Sequence, residues 1–271
     1  MALLSNQAKI GSNVTIAPTA IIEDDVIIGD NTSISDYSII RNGTRIGANN
    51  TISSHVVIGE APQDKGHKNE TSYIEIGDNN IIREFVTIHR ATGEGQSTRV
   101  GNYNYLMVNS HLAHNAVIAD HCILANGAML GGHVQLESHV NIGGGAVVHQ
   151  HCRIGTYSML SGMSATNHDA IPYIIYGGIP TVALSTNRHA LTKAQFSQEL
   201  KSEIMRAFKI IYGERSSTPR IVERLETELQ LFPEIQHIID FIKNSKRGII
   251  LKGFKMGVSP TDFQEDARTR E

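Results

Sequence analysis

The chain has 271 residues, 19% of them charged, and its formal net charge is -3. This balance gives no general attraction to nucleic acid or to an anionic membrane surface, so we expect neither as a partner. The length suits one large domain accompanied by a smaller one.

Compartment and membrane features can also be judged from composition. The two cysteines, Cys122 and Cys152, are too few for a disulfide framework, which indicates a reducing compartment. The first residues, MALLSNQAKIG, lack a basic segment followed by an apolar core, so we expect no secretion signal. No stretch approaches the roughly 18 apolar residues of a membrane span. We therefore expect a cytoplasmic protein.

A repeat of six residues dominates the first part of the chain. Isoleucine stands at positions 10, 16, 22, 28, 34, 40, 46, 52 and 58, and aliphatic residues continue the same phase at 76–88 and 100–160. Four residues after each aliphatic one stands a small or β-branched residue, such as Ala20 or Val26. Such spacing is typical of hexapeptide repeats, three of which form one triangular coil. We predict a β-solenoid, a parallel β-helix over residues 1–188, whose coils stack about 4.8 Å apart.

Two segments interrupt the repeat and are predicted to be loops. In residues 61–73 and 90–98, polar residues (Asp64, Glu70 and Glu94) stand where aliphatic ones are due. Loops on a rigid scaffold often carry binding groups, so both are candidates for the functional site.

The last part of the chain, residues 189–271, is predicted to be a helical domain. Apolar residues at helical spacing predict one helix over 197–213, which ends near Gly213. A Ser/Thr-Pro start predicts a second helix within 216–232. A third is predicted over 233–248 and ends at Gly248; the tail from about 249 is not assigned.

Five histidines fall around one corner of the predicted prism on three successive coils: His111, His114, His133, His149 and His151. None occupies an inward-facing position, so they are surface groups and not core residues. The position of each residue within the repeat also puts Cys122 and Cys152 on different faces of the prism, where they cannot pair.

This histidine corner has two chemical interpretations besides that of ordinary solvated side chains. A zinc site shared between subunits, as in gamma-class carbonic anhydrases, needs three imidazoles within about 2.1 Å of one ion. An acyltransferase cleft instead needs one neutral imidazole, which removes a proton from a hydroxyl or amine as it attacks a thioester. Glutamine, glycine and asparagine stand between the histidines, which favours polar substrate contacts. We therefore prefer acyl transfer and assign no metal ligand.

The ordered motifs SHLAH, ILAN, GGHV and VHQ, together with IGEAPQD and SKRGI, resemble a known family. The sequence is similar to acyl-[acyl-carrier-protein]–UDP-N-acetylglucosamine O-acyltransferases, which open lipid A synthesis in Gram-negative bacteria. The likeness covers nearly the whole chain. It implies a left-handed β-helix, a homotrimer with active sites between subunits, and no bound cofactor. It also implies two substrates, acyl carrier protein with a 3-hydroxyacyl thioester and UDP-N-acetylglucosamine or a related UDP-sugar.

The resemblance also implies roles for individual residues. His114 matches the general base, Asn115 its partner, and the backbone N–H of Gly132 the donor that stabilises the oxyanion. Substrate contacts are implied for Gln63, Asp64, His111, His133, His149, Gln150 and Asn187. Gly162 matches a position that limits the acyl chain.

Several positions depart from the family pattern. The family usually has aspartate after the catalytic histidine, and here it is Asn115. Restoring a carboxylate there would stabilise the imidazolium, so by this reasoning Asn115→Asp should raise the rate. His189 replaces an acidic residue, and Lys193-Ala194 replaces an arginine pair.

The sequence thus predicts transfer of a 3-hydroxyacyl chain to the 3-hydroxyl of UDP-N-acetylglucosamine. Three alternatives stay open at this point. They are acylation of an amine on a related UDP-amino sugar, a zinc-dependent hydratase, and a trimer that binds nucleotide sugar without turnover.

Overall fold

The structure is a computed structural model that describes residues 3–213 and 216–253. Within these residues, strands β1 to β27 are, in chain order, Leu3–Leu4, Lys9–Ile10, Thr15–Ile16, Ile21–Ile22, Val26–Ile28, Ser33–Ile34, Ile39–Ile40, Thr44–Ile46, Thr51–Ile52, Val57–Glu60, Tyr73–Ile76, Ile81–Ile82, Thr87–His89, Ser97–Val100, Tyr105–Leu106, His111–Leu112, Val117–Ile118, Ile123–Leu124, Met129–Leu130, Gln135–Leu136, Asn141–Ile142, Val147–Val148, Arg153–Ile154, Met159–Leu160, Ala165–Thr166, Ile174–Gly177 and Val182–Thr186. Most are two residues long, because the chain turns a corner after each side of the triangular coil.

Each strand of the coils pairs in parallel with the strand three places later in the chain, which lies in the next coil. The resulting three sheets are the three sides of a prism. Sheet 1 holds β1, β4, β7, β10, β13, β16, β19, β22 and β25, and sheet 2 holds the eight strands β2 to β23 in the same steps of three. Sheet 3 runs from β3 to β24 in these steps and ends with β26 and β27, which pair antiparallel. The predicted fold class, a left-handed parallel β-helix of hexapeptide repeats followed by α-helices, is confirmed.

The aliphatic repeat fills the interior of the prism, as the spacing predicts. From Ile22 to Ile58 each isoleucine in this phase is at most 3% exposed. Ile10 is 36% exposed, because it belongs to the first coil and only one side of that coil is covered. The predicted small positions also point inward, and Ala20 and Val26 are buried.

A buried ladder of asparagines joins the middle coils at one corner. The Asn80 side chain donates to Asn50 Oδ1 at 3.0 Å, and Asn80 Oδ1 accepts from the backbone N–H of Asn104 at 2.9 Å. Asn104 Oδ1 in turn accepts from the backbone N–H of Cys122 at 2.7 Å. Each amide therefore satisfies polar groups that the interior would otherwise leave without a partner.

Both predicted loops are present and leave the six-residue phase intact. They span 61–72 and 90–96, since Tyr73 and Ser97 already begin strands. Residues bonded across successive coils are normally 18 apart in sequence, but 30 apart across the first loop and 24 across the second. The loops therefore add two repeats and one repeat, and the aliphatic residues stay inside.

Four helices follow the strands: α1 Arg188–Lys193, α2 Gln198–Tyr212, α3 Thr218–Glu228 and α4 Pro233–Lys243. The predicted α2, α3 and α4 are confirmed, whereas α1 is too short for a periodic signal. The prediction that the last helix ends at Gly248 was wrong. It ends at Lys243, where the backbone N–H and side chain of Asn244 both donate to the Asp240 carbonyl.

The helices pack against the last coils of the prism. Tyr176 Oη, from a buried side chain, lies 3.0 Å from Oη of the partly buried Tyr212, and His237 Nε2 lies 3.1 Å from Glu137 Oε2. The strands end at Thr186, but the division into two domains at residue 188 stays a prediction. Residues 254–271 lie outside the described part.

Two further expectations concern cysteines and membranes. Cys122 and Cys152 are unpaired, as predicted, and the structure shows that both are buried. In the two described ranges, no helix combines the length and the apolar character that crossing a bilayer requires.

We expect Asn80→Ala to destabilise the fold, because it removes the middle of the asparagine ladder. Each buried group left without a partner costs about 1–3 kcal/mol. Thermal unfolding followed by circular dichroism should show a clearly lower midpoint. Gln135→Ala, at an exposed outward position, is the control and should change little. An unchanged midpoint for Asn80→Ala would show that the ladder adds no net stability.

Candidate active site

The predicted histidine corner forms where sheet 1 turns into sheet 2. Asn115, His133 and His151 occupy the same place in three stacked turns, with φ of 58°, 58° and 65°. Asparagine and histidine tolerate this left-handed conformation better than most residues. The His133 and His151 rings consequently stack with centroids 4.6 Å apart, and the His114 ring meets His133 edge-on at 5.3 Å.

His114 is held by the residue that follows it. Its Nδ1 lies 2.9 Å from Asn115 Oδ1. An amide oxygen can only accept, so Nδ1 carries the proton and Nε2 of the neutral ring keeps a free lone pair. This is the tautomer that a general base needs at Nε2.

Gly132 lies directly against the His114 ring. A methyl carbon placed on Gly132 would stand 2.6 Å from His114 Nε2, so only glycine leaves the ring where it is. Gly132 is buried, and its N–H makes no hydrogen bond to another described residue. At another corner, the equivalent N–H groups of Ser12, Ala48, Asp78 and Asn102 each donate to an Asp or Asn side chain of the next coil at 2.6–2.8 Å. The Gly132 N–H therefore remains available beside the His114 ring.

The first loop brings a carboxylate to this corner. Asp64 Oδ1 accepts from the N–H of Gly66 at 2.8 Å. That N–H and the Thr92 hydroxyl, with smaller effects of His114 and His133, hold the pKa of the Asp64 carboxyl below its usual value. Asp64 is thus an anion at neutral pH that faces the two imidazoles.

A shallow cavity of about 330 Å³ opens on the outer face of sheet 1 beside this corner. Four of the predicted substrate contacts line it: Gln63, His111, His149 and Gln150. Met129 and Val147, which are outward-facing and partly exposed, supply its apolar wall. The cavity therefore combines hydrogen-bonding groups with an apolar surface.

Two imidazoles of the site, those of His111 and His133, are biased towards the neutral form. Burial, and then the nearby His89, lowers the pKa of His111 to about 4. Burial, followed by His151 and His114, also lowers the pKa of His133. At neutral pH both can contact polar substrate atoms without adding charge.

Gly162 and Asn187 lie away from the histidine corner. Gly162 is at the opposite edge of sheet 1, one coil beyond the consecutive glycines 143–145. Asn187 is buried and caps α1, because its Oδ1 accepts from Ala190 N at 3.2 Å and its Nδ2 donates to Tyr157 O at 2.8 Å. Both ends of that amide are thus used within the chain, and its predicted nucleotide contact stays a prediction.

Three residues near the site were not singled out from the sequence. His89 packs edge-on against His111 at 4.9 Å, and its place one residue after an inward isoleucine could have indicated this. Arg247 Nη2 reaches His149 Nδ1 at 3.3 Å from 98 residues away, which only the tertiary structure reveals. Thr92 contacts Asn115 through its backbone, for which the sequence carries no signal.

The described ranges contain no group of three or more His, Cys, Asp and Glu side chains arranged to bind a metal ion. The His133 and His151 rings stack face to face and do not converge on one point. The zinc interpretation thus finds no ligand set in this part of the chain.

Comparison with known families and proteins agrees with this geometry. The family described as UDP N-acetylglucosamine O-acyltransferase, domain 2, matches residues 169–250. The bacterial transferase hexapeptide family matches residues 7–42, 25–60 and 97–132. A relative from Halorhodospira halophila, named acyl-[acyl-carrier-protein]–UDP-N-acetylglucosamine O-acyltransferase, is 39% identical over 191 residues, which is 70% of this chain and 74% of the relative. A relative of the same name from Thiobacillus denitrificans is 35% identical over the same shares of the two chains.

Solved structures extend the likeness over more of the chain. A UDP-N-acetylglucosamine acyltransferase from Bacteroides fragilis superposes with a TM-score of 0.90 at 43% identity, over 92% of this chain and 98% of its own. The enzyme from Acinetobacter baumannii has a TM-score of 0.89 at 35% identity, over 92% of this chain and 97% of its own. The chain therefore belongs to the acyl-[acyl-carrier-protein]–UDP-N-acetylglucosamine O-acyltransferase family.

Proposed function

We propose that this protein transfers a 3-hydroxyacyl chain from acyl carrier protein to the 3-hydroxyl of UDP-N-acetylglucosamine, the first step of lipid A synthesis. One observation carries the proposal. His114 Nε2, the ring nitrogen without a proton in the neutral tautomer that Asn115 favours, lies against Gly132, whose N–H has no partner among the described residues. A base and an oxyanion donor are thus adjacent, in a chain of the matching family.

The chemistry follows from these two groups. His114 Nε2 takes the proton of the sugar hydroxyl while its oxygen attacks the thioester carbon. The carbonyl oxygen becomes an oxyanion and accepts from the Gly132 N–H. When the tetrahedral intermediate collapses, the carbon–sulfur bond breaks and the imidazolium returns its proton to the thiolate.

The surrounding residues suit the two substrates. Neutral His111, with Gln63 and Gln150, supplies hydrogen bonds in the cavity, and Asp64 presents a carboxylate to hydroxyl groups of the sugar or acyl chain. The face of sheet 1 then leads past Met129 and Val147 towards the corner of Gly162, where Met163 is 71% exposed. We infer that the acyl chain lies along this apolar path.

We also propose that the protein acts as a cytoplasmic homotrimer. The histidine corner lies on the convex edge of a single prism, so a second wall from a neighbouring subunit would enclose the substrates. Light scattering tests this, and a monomer at micromolar concentration would contradict it.

The identity of the acceptor group can be tested directly by comparing substrates. A turnover assay with a panel of acyl carrier proteins and UDP-sugars separates the 3-hydroxyl of UDP-N-acetylglucosamine from an amine acceptor. Metal analysis of protein purified without added zinc addresses the hydratase alternative. Binding of nucleotide sugar without any turnover would support the non-catalytic alternative.

We expect His114→Ala to remove nearly all turnover. A positioned general base contributes about 10²–10⁴-fold to the rate, and this side chain lies outside the core. Steady-state kinetics should show the loss in kcat, and circular dichroism should show an unchanged fold. If more than a tenth of the wild-type rate survives, another residue is the base.

We expect Gly132→Ala to lower kcat by about 10²-fold, because a displacement of about 1 Å of a catalytic group can cost that much. The new methyl group would push the His114 ring aside while the backbone N–H remains. Kinetics with both substrates saturating measure this effect. A wild-type rate in Gly132→Ala would mean that the position of the His114 ring is not critical for turnover, or that the ring accommodates the methyl group without loss.

We expect Gly162→Met to shift the preference towards shorter acyl chains. The ratio of kcat/KM for a shorter chain to that for a longer one should rise about tenfold or more. The added side chain would fill the space at the end of the apolar path. Competition between acyl carrier proteins of different chain length measures it, with the KM for UDP-N-acetylglucosamine as the control. An unchanged preference would place the end of the acyl chain elsewhere.

A further inference from the structure

The side chain of Asn115 is bound at both ends by the peptide groups of one residue in the second loop. Its Oδ1 accepts from the Thr92 N–H at 2.9 Å, and its Nδ2 donates to the Thr92 carbonyl at 3.1 Å. The same Oδ1 faces His114 Nδ1 at 2.9 Å. Every polar atom of the amide therefore has a partner.

These bonds permit only one orientation of the amide. Turning it over would set oxygen against the Thr92 carbonyl oxygen and the NH₂ group against the Thr92 N–H. Orientation of an amide is assigned from such networks, and this one is unambiguous. The Thr92 backbone thus fixes an acceptor against His114 Nδ1, and through it the tautomer that leaves Nε2 unprotonated.

The second loop is itself tied to the first. The Gly95 N–H donates to the Thr71 carbonyl at 2.8 Å, and the Thr71 N–H donates to Glu94 Oε2 at 3.0 Å. The Asn115 backbone N–H donates to Thr98 Oγ1 at 2.8 Å, just after the second loop. The second loop therefore holds Asn115 directly, and the first loop supports it through the second.

We propose that Asn115 is a positioning residue whose neutral amide is required, with Thr92 as its anchor, and that a carboxylate at this place would impair catalysis. This rests on the proposed acyl transfer and reverses the expectation drawn from the sequence. An aspartate at 115 would place a carboxylate oxygen about where Nδ2 now stands, 3.1 Å from the Thr92 carbonyl oxygen. Two acceptors would then face each other, and one hydrogen bond would be lost.

A second carboxylate would also meet electrostatic repulsion. Asp64 already presents a carboxylate to His114 and His133, and the Thr92 hydroxyl contributes to its low pKa. A second anion at 115 would stand against the backbone of the same Thr92. Its attraction for the imidazolium would therefore come with repulsion from Asp64 and from the Thr92 carbonyl.

The rank order of kcat in three proteins tests the proposal. We expect the wild type to have the highest kcat, and Asn115→Asp to be no faster than Asn115→Ala. In both variants kcat should fall about tenfold or more while KM changes little. Such a loss is part of the roughly 10²–10⁴-fold that a positioned base contributes to the rate. If the pair of His114 and Asn115 lacked only a negative charge, Asn115→Asp would instead have a higher kcat than the wild type. That order, or equal rates for all three, would overturn the proposal.

Asn49→Asp is the matched control. Asn49 has φ of 58°, as Asn115 has, but is exposed at another corner, where it accepts from the Asn31 side chain at 3.3 Å. We expect this control to keep the wild-type kcat. Equal losses in both variants would assign the effect to aspartate in a left-handed turn and contradict the proposal.

A second measurement does not need the aspartate variant to fold or the wild type to turn over. In protein labelled with ¹⁵N-histidine, the His114 signals can be identified by their absence in His114→Ala. We expect a protonated Nδ1 and an unprotonated Nε2 in the neutral ring of the wild type. The opposite tautomer would refute the positioning role. Failure of turnover with this tautomer intact would instead count against the proposed function alone.

Discussion

The structure depends on one constraint, that backbone hydrogen bonds join each coil to the coils stacked on either side of it. The His133 N–H donates to the His114 carbonyl at 3.0 Å, and the His151 N–H donates to the Gly132 carbonyl at 2.9 Å. Residues of equal phase therefore form columns up the prism. The histidine corner is such a column, so its groups come together through the same bonds that hold the coils.

The stacking also explains how functional loops can be added to so regular a core. Because the two loops add whole repeats, the aliphatic residues on either side remain in register and buried. The inserted residues are then free to carry chemistry on the outside. Asp64 in the first loop and Thr92 in the second both approach His114 in this way.

The electrostatics of the corner rest on neutral groups. Burial keeps His111 and His133 towards their uncharged forms, and Asn115 orients His114 through an amide. Asp64 is the carboxylate that acts on the pair formed by His114 and His133. In the proposed transfer, Asp64 would be a negative partner for the imidazolium that develops on His114.

The sequence by itself determined the solenoid and most of the corner. A six-residue period places residues on a fixed side of a coil, so the burial of Ile22 to Ile58 and the proximity of His114, His133 and His151 follow from counting. The family motifs added the roles of base and oxyanion donor, which remain to be tested by mutation.

The tertiary structure decided what depends on contacts without a period. Arg247 reaches His149 across 98 residues, and Asn187 is occupied as a helix cap, neither of which spacing can show. Above all, Thr92 binds Asn115 through its backbone, which every residue but proline offers equally, so no side-chain pattern could reveal it. From the sequence alone Asn115 stands out as lacking the carboxylate of the family pattern, whereas in the structure both ends of its amide are in use.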